Sequence, residues 1–195
     1  MQQFKSKDYV TILLVITNIA VYIFCTIQGN VLYNMGSLSV VDIINRQEYY
    51  RILTSLFLHA NPQHIWGNMI FLAALGDMLE RSIGHGRFFA IYMLAGIGGN
   101  LLSMGHELAT GQFCSTIGAS GAVFGLIGAL LLLICKNNGT YGQISFRRMI
   151  FAIVYLFYSG IQSETTNNMA HLGGFITGFA VMAGFFFYKT RKEKK

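Results

Sequence analysis

Six stretches of this chain, at approximately 9–27, 63–80, 87–106, 118–135, 147–162 and 168–188, are apolar over nearly their whole length. No other feature limits the possible folds as much. A helix needs about 20 apolar residues to cross the hydrocarbon core of a bilayer. Lipid offers backbone N–H and C=O groups no partner, so such a segment must close its hydrogen bonds within a helix. Soluble domains average about a quarter charged residues; here the charged fraction is 11%, against 53% hydrophobic, and the mean hydropathy is +0.50. The expected fold is all-α: a polytopic membrane protein, a bundle of six transmembrane helices forming one domain over 1–195. The fourth and fifth stretches are short, as helices buried in protein can be. Twenty-two glycines against a single proline suit membrane helices, whose association depends on close backbone approach.

The formal charge of +6 does not indicate a nucleic-acid partner, because the basic residues form no patch apart from the tail 189–195, which follows an apolar run and reads as an anchor against anionic lipid. Placing both termini in the cytoplasm puts Lys5, Lys7, Arg81, Arg87, Lys136, Arg147, Arg148 and the five basic residues of that tail inside, and leaves only Arg46 and Arg51 outside. The opposite orientation would violate the positive-inside rule. The protein is expected to be multi-pass in the cytoplasmic membrane, with the lipid bilayer as its surroundings. The first apolar run lacks a small-x-small cleavage site and is expected to remain as a helix. The connection 28–62 is too long and too apolar for a simple loop and reads as interfacial, with short amphipathic helices. Asn61-Pro62 then starts the second span, Asn as cap and Pro at the first helical position. Cys25, Cys114 and Cys135 show no metal-ligand spacing and read as apolar fillers; neither metal nor cofactor is expected.

In this orientation the second, fourth and sixth spans all run inward, and each opens with polar residues: His64 and Asn68, then Gly118, Ser120 and Gly121, then Asn168 and His171. At about 1.5 Å per residue they share one layer just below the outer surface. Each residue also has an ordinary reading. A serine in a membrane helix often bonds to a carbonyl one turn back, a histidine often bridges helices, and Asn68 could tie two helices together. The common depth, set against the cost of polar groups in lipid, favours a shared site. His171, Gly174 and Gly178 form one helical stripe, and Ser120 lies beside the stripe Gly121, Gly125, Gly128. Such small-residue faces allow the close approach that a serine–histidine hydrogen bond of about 2.6–3.2 Å demands.

His64-x-x-x-Asn68, Gly118-Ala119-Ser120-Gly121 and Ala170-His171-x-x-Gly174-x-x-x-Gly178 together resemble the signature of the rhomboid intramembrane serine proteases, in order and in span, from about Arg51 to the end of the sixth span. The resemblance implies a six-helix bundle of rhomboid type in which Ser120 is the nucleophile and His171 the base. His64, Asn68 and the Ser120 N–H would stabilise the oxyanion, with Gly118, Gly121, Phe124, Asn168 and Gly174 in support. It implies substrates that are single-pass or polytopic membrane proteins, cut near the extracytoplasmic side where a segment leaves helical form. Arg51, His59 and Glu80-Arg81 fall where the family has similar residues and read as structural.

No carboxylate occupies a triad position, so a dyad is expected, with Asn168, one turn before His171, a candidate orienter. Where many family members have a tyrosine one turn after the serine, this chain has Phe124, which can pack against the imidazole but offers no hydroxyl. The faces carrying Trp66, Phe71, Phe151, Tyr155 and Tyr158 are candidates for lateral access, or simply for lipid and core packing. A catalytically inactive rhomboid-like binder of membrane helices is the alternative; such relatives typically lack the serine or the histidine, and this chain has both. A transporter would need a polar path continuing inward past Asn68, and none is apparent.

Overall fold

The computed structural model describes residues 8–163 and 165–192, with side chains described as far as 188. Lys5, Lys7, Glu164 and the basic side chains of the tail therefore lie outside the described residues. The chain is a helical bundle. Helix α1 (Tyr9–Gln28) is followed by three short helices, α2 (Val31–Gly36), α3 (Val40–Arg46) and α4 (Arg51–Thr54), and by a 3-10 turn at Ser55–Phe57. Then come α5 (Pro62–Ile83), α6 (His85–Thr110), α7 (Ser120–Lys136), a hairpin of β1 (Thr140–Tyr141) and β2 (Ile144–Ser145), α8 (Phe146–Ile161) and α9 (Asn168–Lys192).

Three helices are long and apolar enough to cross a bilayer by those criteria alone: Tyr9–Gln28, His85–Thr110 and Asn168–Tyr188. Helix α7 is apolar but has only 17 residues, α8 has 16, and α5 carries Asp77, Glu80 and Arg81 in its last two turns. Together with a large apolar surface on α1, where Ile12, Leu13, Ile16, Ile23 and Phe24 are exposed, these helices describe a multi-pass membrane protein.

Helix α7 is the axis of the bundle. Every residue from Gly121 to Leu130 is buried, which is the pattern of a helix surrounded by others rather than one with a single apolar stripe. It packs most extensively against α9, and α6 closes the trio. Glycine makes this possible. A Cβ at Gly174 would run into the Gly121 carbonyl, one at Gly178 into the Gly125 carbonyl, and one at Gly128 into the Phe175 carbonyl. On the other side of α9, Gly98 faces Thr177, and Gly99 faces the Ala170 carbonyl. Where lipid is as apolar as the side chains, such backbone contact supplies the van der Waals attraction that hydrophobic burial supplies in water.

Polar ties hold the periphery. Glu80 is fully buried on α5, and its carboxylate accepts the N–H groups of Val10 (2.9 Å) and Thr11 (2.8 Å) and the Thr11 hydroxyl (2.6 Å). It thus caps the first turn of α1 from another helix, placing a negative charge at the positive end of the helix dipole. His85 Nδ1 meets the same carboxylate, just beyond Gly84, whose φ of +87° lets α6 start directly after α5. Arg51 organises the short helices: its guanidinium donates to the carbonyls of Asn34 (2.9 Å) and Ser37 (3.0 Å) and pairs with Glu48 at 2.6 Å. The segment 28–62 is thus a folded element rather than an amphipathic strip.

Helix α8 is held far more loosely. Met149 and Gly160, near its two ends, are its only buried residues.

Two stability measurements follow. Glu80→Ala strands two helix-end amides and a hydroxyl, and should cost about 1–3 kcal/mol, read as a lower unfolding temperature in detergent with faster proteolysis at the start of α1. Gly174→Ala should destabilise by a similar amount through overpacking. Gly184→Ala on the same helix, where a Cβ meets nothing within 4 Å, should leave the unfolding temperature unchanged or raise it.

Candidate active site

Ser120 is the first residue of α7, and its position is determined by the segment before it. That segment is pinned at several points. Leu38 and Thr116 exchange backbone hydrogen bonds of 2.9 and 3.0 Å, and the Ser115 hydroxyl donates to that of Ser37 (2.8 Å). Gly118 N–H donates to the Ser55 carbonyl (2.8 Å), while Asn100 donates to Ser55 Oγ and to the Ile52 carbonyl from α6. Gly118 has φ +128°, a conformation that L side chains avoid, and a Cβ there would lie 2.7 Å from His64 Nε2. Glycine is required at this point twice over. Being at the first position of α7, the Ser120 N–H has no acceptor within its own helix.

His171 lies in the first turn of α9. Asn167 caps this helix: its Oδ1 accepts from Ala170 N–H (3.0 Å), and its carbonyl accepts from His171 N–H (3.2 Å). The glycine contacts between α7 and α9 bring the two helix ends together, and His171 Nε2 stands 2.9 Å from Ser120 Oγ. Phe124, one turn below Ser120, stacks on the imidazole with ring centroids 4.1 Å apart and planes within 9°. Phe157 of α8 packs edge-on against Phe124. The imidazole is therefore fixed by a flat apolar wall, and His171 Nδ1 is buried with no hydrogen-bond partner among the described residues. Among the described residues no carboxylate holds it.

His64 and Asn68 reach the same end of the bundle from α5. Asn61 caps this helix through the His64 N–H (2.8 Å), with Pro62 at its first position. The His64 ring leans edge-on against buried His59 (centroids 5.1 Å apart) and lies over Gly118. Asn68 donates one amide hydrogen to the His64 carbonyl one turn back (3.0 Å), the ordinary helical contact for such a residue, and has a second to offer. Gly121 and Gly174 face each other directly beneath the Ser120–His171 pair.

Asn168 is placed differently from the expectation. Its amide donates to the Gly160 carbonyl at the end of α8 (3.1 Å), joining α8 to α9. Three residues before His171, it lies one turn away from the imidazole, and it makes no bond to Nδ1. Glu107, near the end of α6, is 3% exposed. It accepts from Ser103 Oγ (3.2 Å) and from Cys114 N–H (3.3 Å). Asn167 was not singled out in the sequence, although an Asn directly before a helix is a recognisable cap signal. The Leu38–Thr116 bridge had no such signal.

A hydroxyl in hydrogen-bond contact with the Nε2 of a neutral imidazole can lose its proton to that nitrogen as it attacks an electrophile. His64 and Asn68 in the first two turns of α5, and the N–H of Ser120 at the first position of α7, are further groups able to donate hydrogen bonds.

Residues 46–188 match the family model described as the Rhomboid domain. The chain is 37% identical over 158 residues to RHOMBOID-like protein 1 of Arabidopsis thaliana, covering 80% of this chain and 39% of that protein. It is 34% identical over 142 residues to Rhomboid protease GluP of Bacillus subtilis, covering 73% of this chain and 27% of that protein. To Rhomboid-like protease 1 of Toxoplasma gondii it is 33% identical over 176 residues, covering 85% of this chain and 56% of the relative. The chain thus spans roughly a quarter to just over half the length of these relatives. With the family model matched over most of its length, this chain belongs to the rhomboid family.

Proposed function

We propose that this protein is an intramembrane serine endopeptidase that cuts membrane-spanning segments with a Ser120–His171 dyad. The observation that carries the reading is the 2.9 Å contact between Ser120 Oγ and His171 Nε2, made across two separate helices and braced by the stacked ring of Phe124. Two of the relatives named above are called proteases.

In this mechanism Ser120 Oγ attacks the scissile carbonyl carbon while its proton passes to His171 Nε2. The negative charge moves to the carbonyl oxygen, where the Ser120 N–H, His64 and Asn68 supply donors; in other enzymes each such donor is worth about 3 kcal/mol of barrier. The tetrahedral adduct collapses, the C–N bond breaks, and His171 returns the proton to the leaving amine. A water molecule, deprotonated by His171, then attacks the acyl-serine and releases the new carboxyl end, restoring both residues. The imidazole must present its lone pair at Nε2, which places its proton on Nδ1. With no acid at Nδ1 among the described residues, orientation rests on Phe124, and the site should turn over slowly compared with a triad.

The six membrane spans of this reading are α1 and α5 to α9, in a single unit over 1–195. Both termini are cytoplasmic and the site lies towards the extracytoplasmic face of the cell membrane. The substrates are single-pass or polytopic membrane proteins whose scissile segment can unwind. Trp66 on α5, and Phe151 and Tyr155 on α8, each expose about 70% of their surface, and α8 is lightly held. A substrate would pass between these two helices. The alternative, a catalytically inactive binder of membrane helices, keeps the bundle and lacks the chemistry.

One assay decides between these readings. Purified protein in liposomes should cleave a tagged single-pass substrate, Ser120→Ala should give no product, and a fluorophosphonate probe should label Ser120 only when His171 is intact. Asn68→Ala should retain labelling while turnover drops about a hundredfold. Equal product from the wild type and Ser120→Ala would defeat the assignment. Access is tested separately: Phe151→Ala with Tyr155→Ala should speed cleavage of the membrane substrate and leave labelling by the small probe unchanged, and an unaltered cleavage rate would eliminate the α5–α8 route.

A further inference from the structure

We infer that Asn167 is a positioning residue for the dyad, setting the separation of Ser120 and His171 by tying Thr116, four residues before the nucleophile, to Ala170, immediately before the base. The inference rests on the protease reading above. Asn167 does not touch either dyad side chain; its influence would pass through the two backbone segments that deliver them.

Both donor hydrogens and the oxygen of the Asn167 amide are engaged. Nδ2 donates to Ser103 Oγ (2.6 Å) and to Thr116 Oγ1 (2.8 Å), and Oδ1 accepts from Ala170 N–H (3.0 Å). A carboxamide is planar, with two donor hydrogens and one acceptor oxygen in fixed directions, so one rigid group joins α6, the segment before α7 and the start of α9. Its anchor on α6 is itself buried: Ser103 is 1% exposed and donates to Glu107 Oε1. The other oxygen of Glu107 accepts from Cys114 N–H, so the carboxylate grips the same segment two residues before Thr116. On its far side, Thr116 is bridged to Leu38 by both backbone groups. Thr116 is thus held by its backbone towards the short helices and by its hydroxyl towards Asn167.

A helix cap alone would account for Oδ1 and would leave Nδ2 free. The two donor bonds are what the capping explanation does not cover. They link parts of the chain 51 and 64 residues away from Asn167, and the first of these parts leads directly into Ser120. Below the dyad, the glycine contacts set the spacing of α7 and α9; above it, Asn167 sets the spacing of the segments that enter them.

The variants separate these roles. Asn167→Ser keeps an oxygen able to cap Ala170 N–H but is too short to reach Ser103 or Thr116. Thr116→Val removes the acceptor hydroxyl at nearly constant shape, and Thr116→Ser restores it. Wild type and variants would be reconstituted in liposomes, with folded fraction measured by thermal melting. Cleavage kinetics and the fluorophosphonate labelling rate of Ser120 would then be read per folded molecule. Asn167→Ser and Thr116→Val should each lower kcat and labelling rate about ten- to a hundredfold, the scale of small misplacements at a reacting centre, with KM little changed. Thr116→Ser should recover most of the loss, and the double variant should be no slower than the worse single one, because both changes cut one tie. Wild-type labelling rates in both variants would overturn the inference while leaving the protease reading intact. So would a loss that vanishes on correction for folded fraction, or one that Thr116→Ser fails to recover. Absence of Ser120 labelling in the wild type would remove both.

Discussion

The backbone contact between α7 and α9 is the constraint on which the rest of the molecule depends. Helices usually pack with axes 8–10 Å apart, the distance being set by the side chains between them. Here Gly121 and Gly125 present bare carbonyls to Gly174 and Gly178, and the helices meet without intervening side chains. That closeness allows a side chain as short as serine to reach an imidazole on the neighbouring helix. It also explains the arrangement of the bulkier groups. Phe124, one turn along α7 from Ser120, lies beside this contact and meets the face of His171. Helix α6, bringing Gly98 and Gly99 against Thr177 and Ala170, supports α9 from behind.

Around that rigid pair, the polar residues act as fasteners and not as solvated surface. Arg51 draws the carbonyls of Asn34 and Ser37 together, and the short helices it organises meet the nucleophile's segment at Leu38 and Ser55. Glu80 holds α1 to the junction of α5 and α6. Each of these ionised groups sits among partners that satisfy it, as burial away from water requires. The membrane-facing surface is left to aliphatic and aromatic side chains.

How much of this could be read from the chain depended on the distance over which each contact acts. Helical spacing projects directly onto a face, so the stripe of His171, Gly174 and Gly178 on one helix and that of Gly121, Gly125 and Gly128 beside Ser120 on another were legible, as was the stacking surface offered by Phe124. The Asn61-Pro62 start of α5 was legible because capping is local. Contacts between distant parts of the chain left no comparable trace. Nothing local marks Glu107 as buried; it is engaged by Ser103 Oγ and by Cys114 N–H from the segment after its helix. Asn168 was a candidate partner for His171 on spacing alone, but its side chain turns to the Gly160 carbonyl of α8. Hydropathy by itself also selects fewer spans than the six apolar runs suggested. Polar residues at the start of α5, charged ones at its end, and the shortness of α7 and α8 set these helices apart from the long apolar ones, and whether such helices cross a bilayer depends on neighbours that hydropathy does not register.

The light attachment of α8 has a mechanical consequence. A helix buried only at Met149 and Gly160, and half-buried between them only at Ile153, Leu156 and Phe157, behaves as a strut pinned near its ends and lightly braced along one face. Its upper pin is reinforced by the Asn168 bond to the same glycine. With α8 in the bilayer, as the proposed function has it, lipid would supply much of its remaining lateral support, so a thinner or more disordered bilayer would let the strut tilt without disturbing the glycine-locked trio beside it.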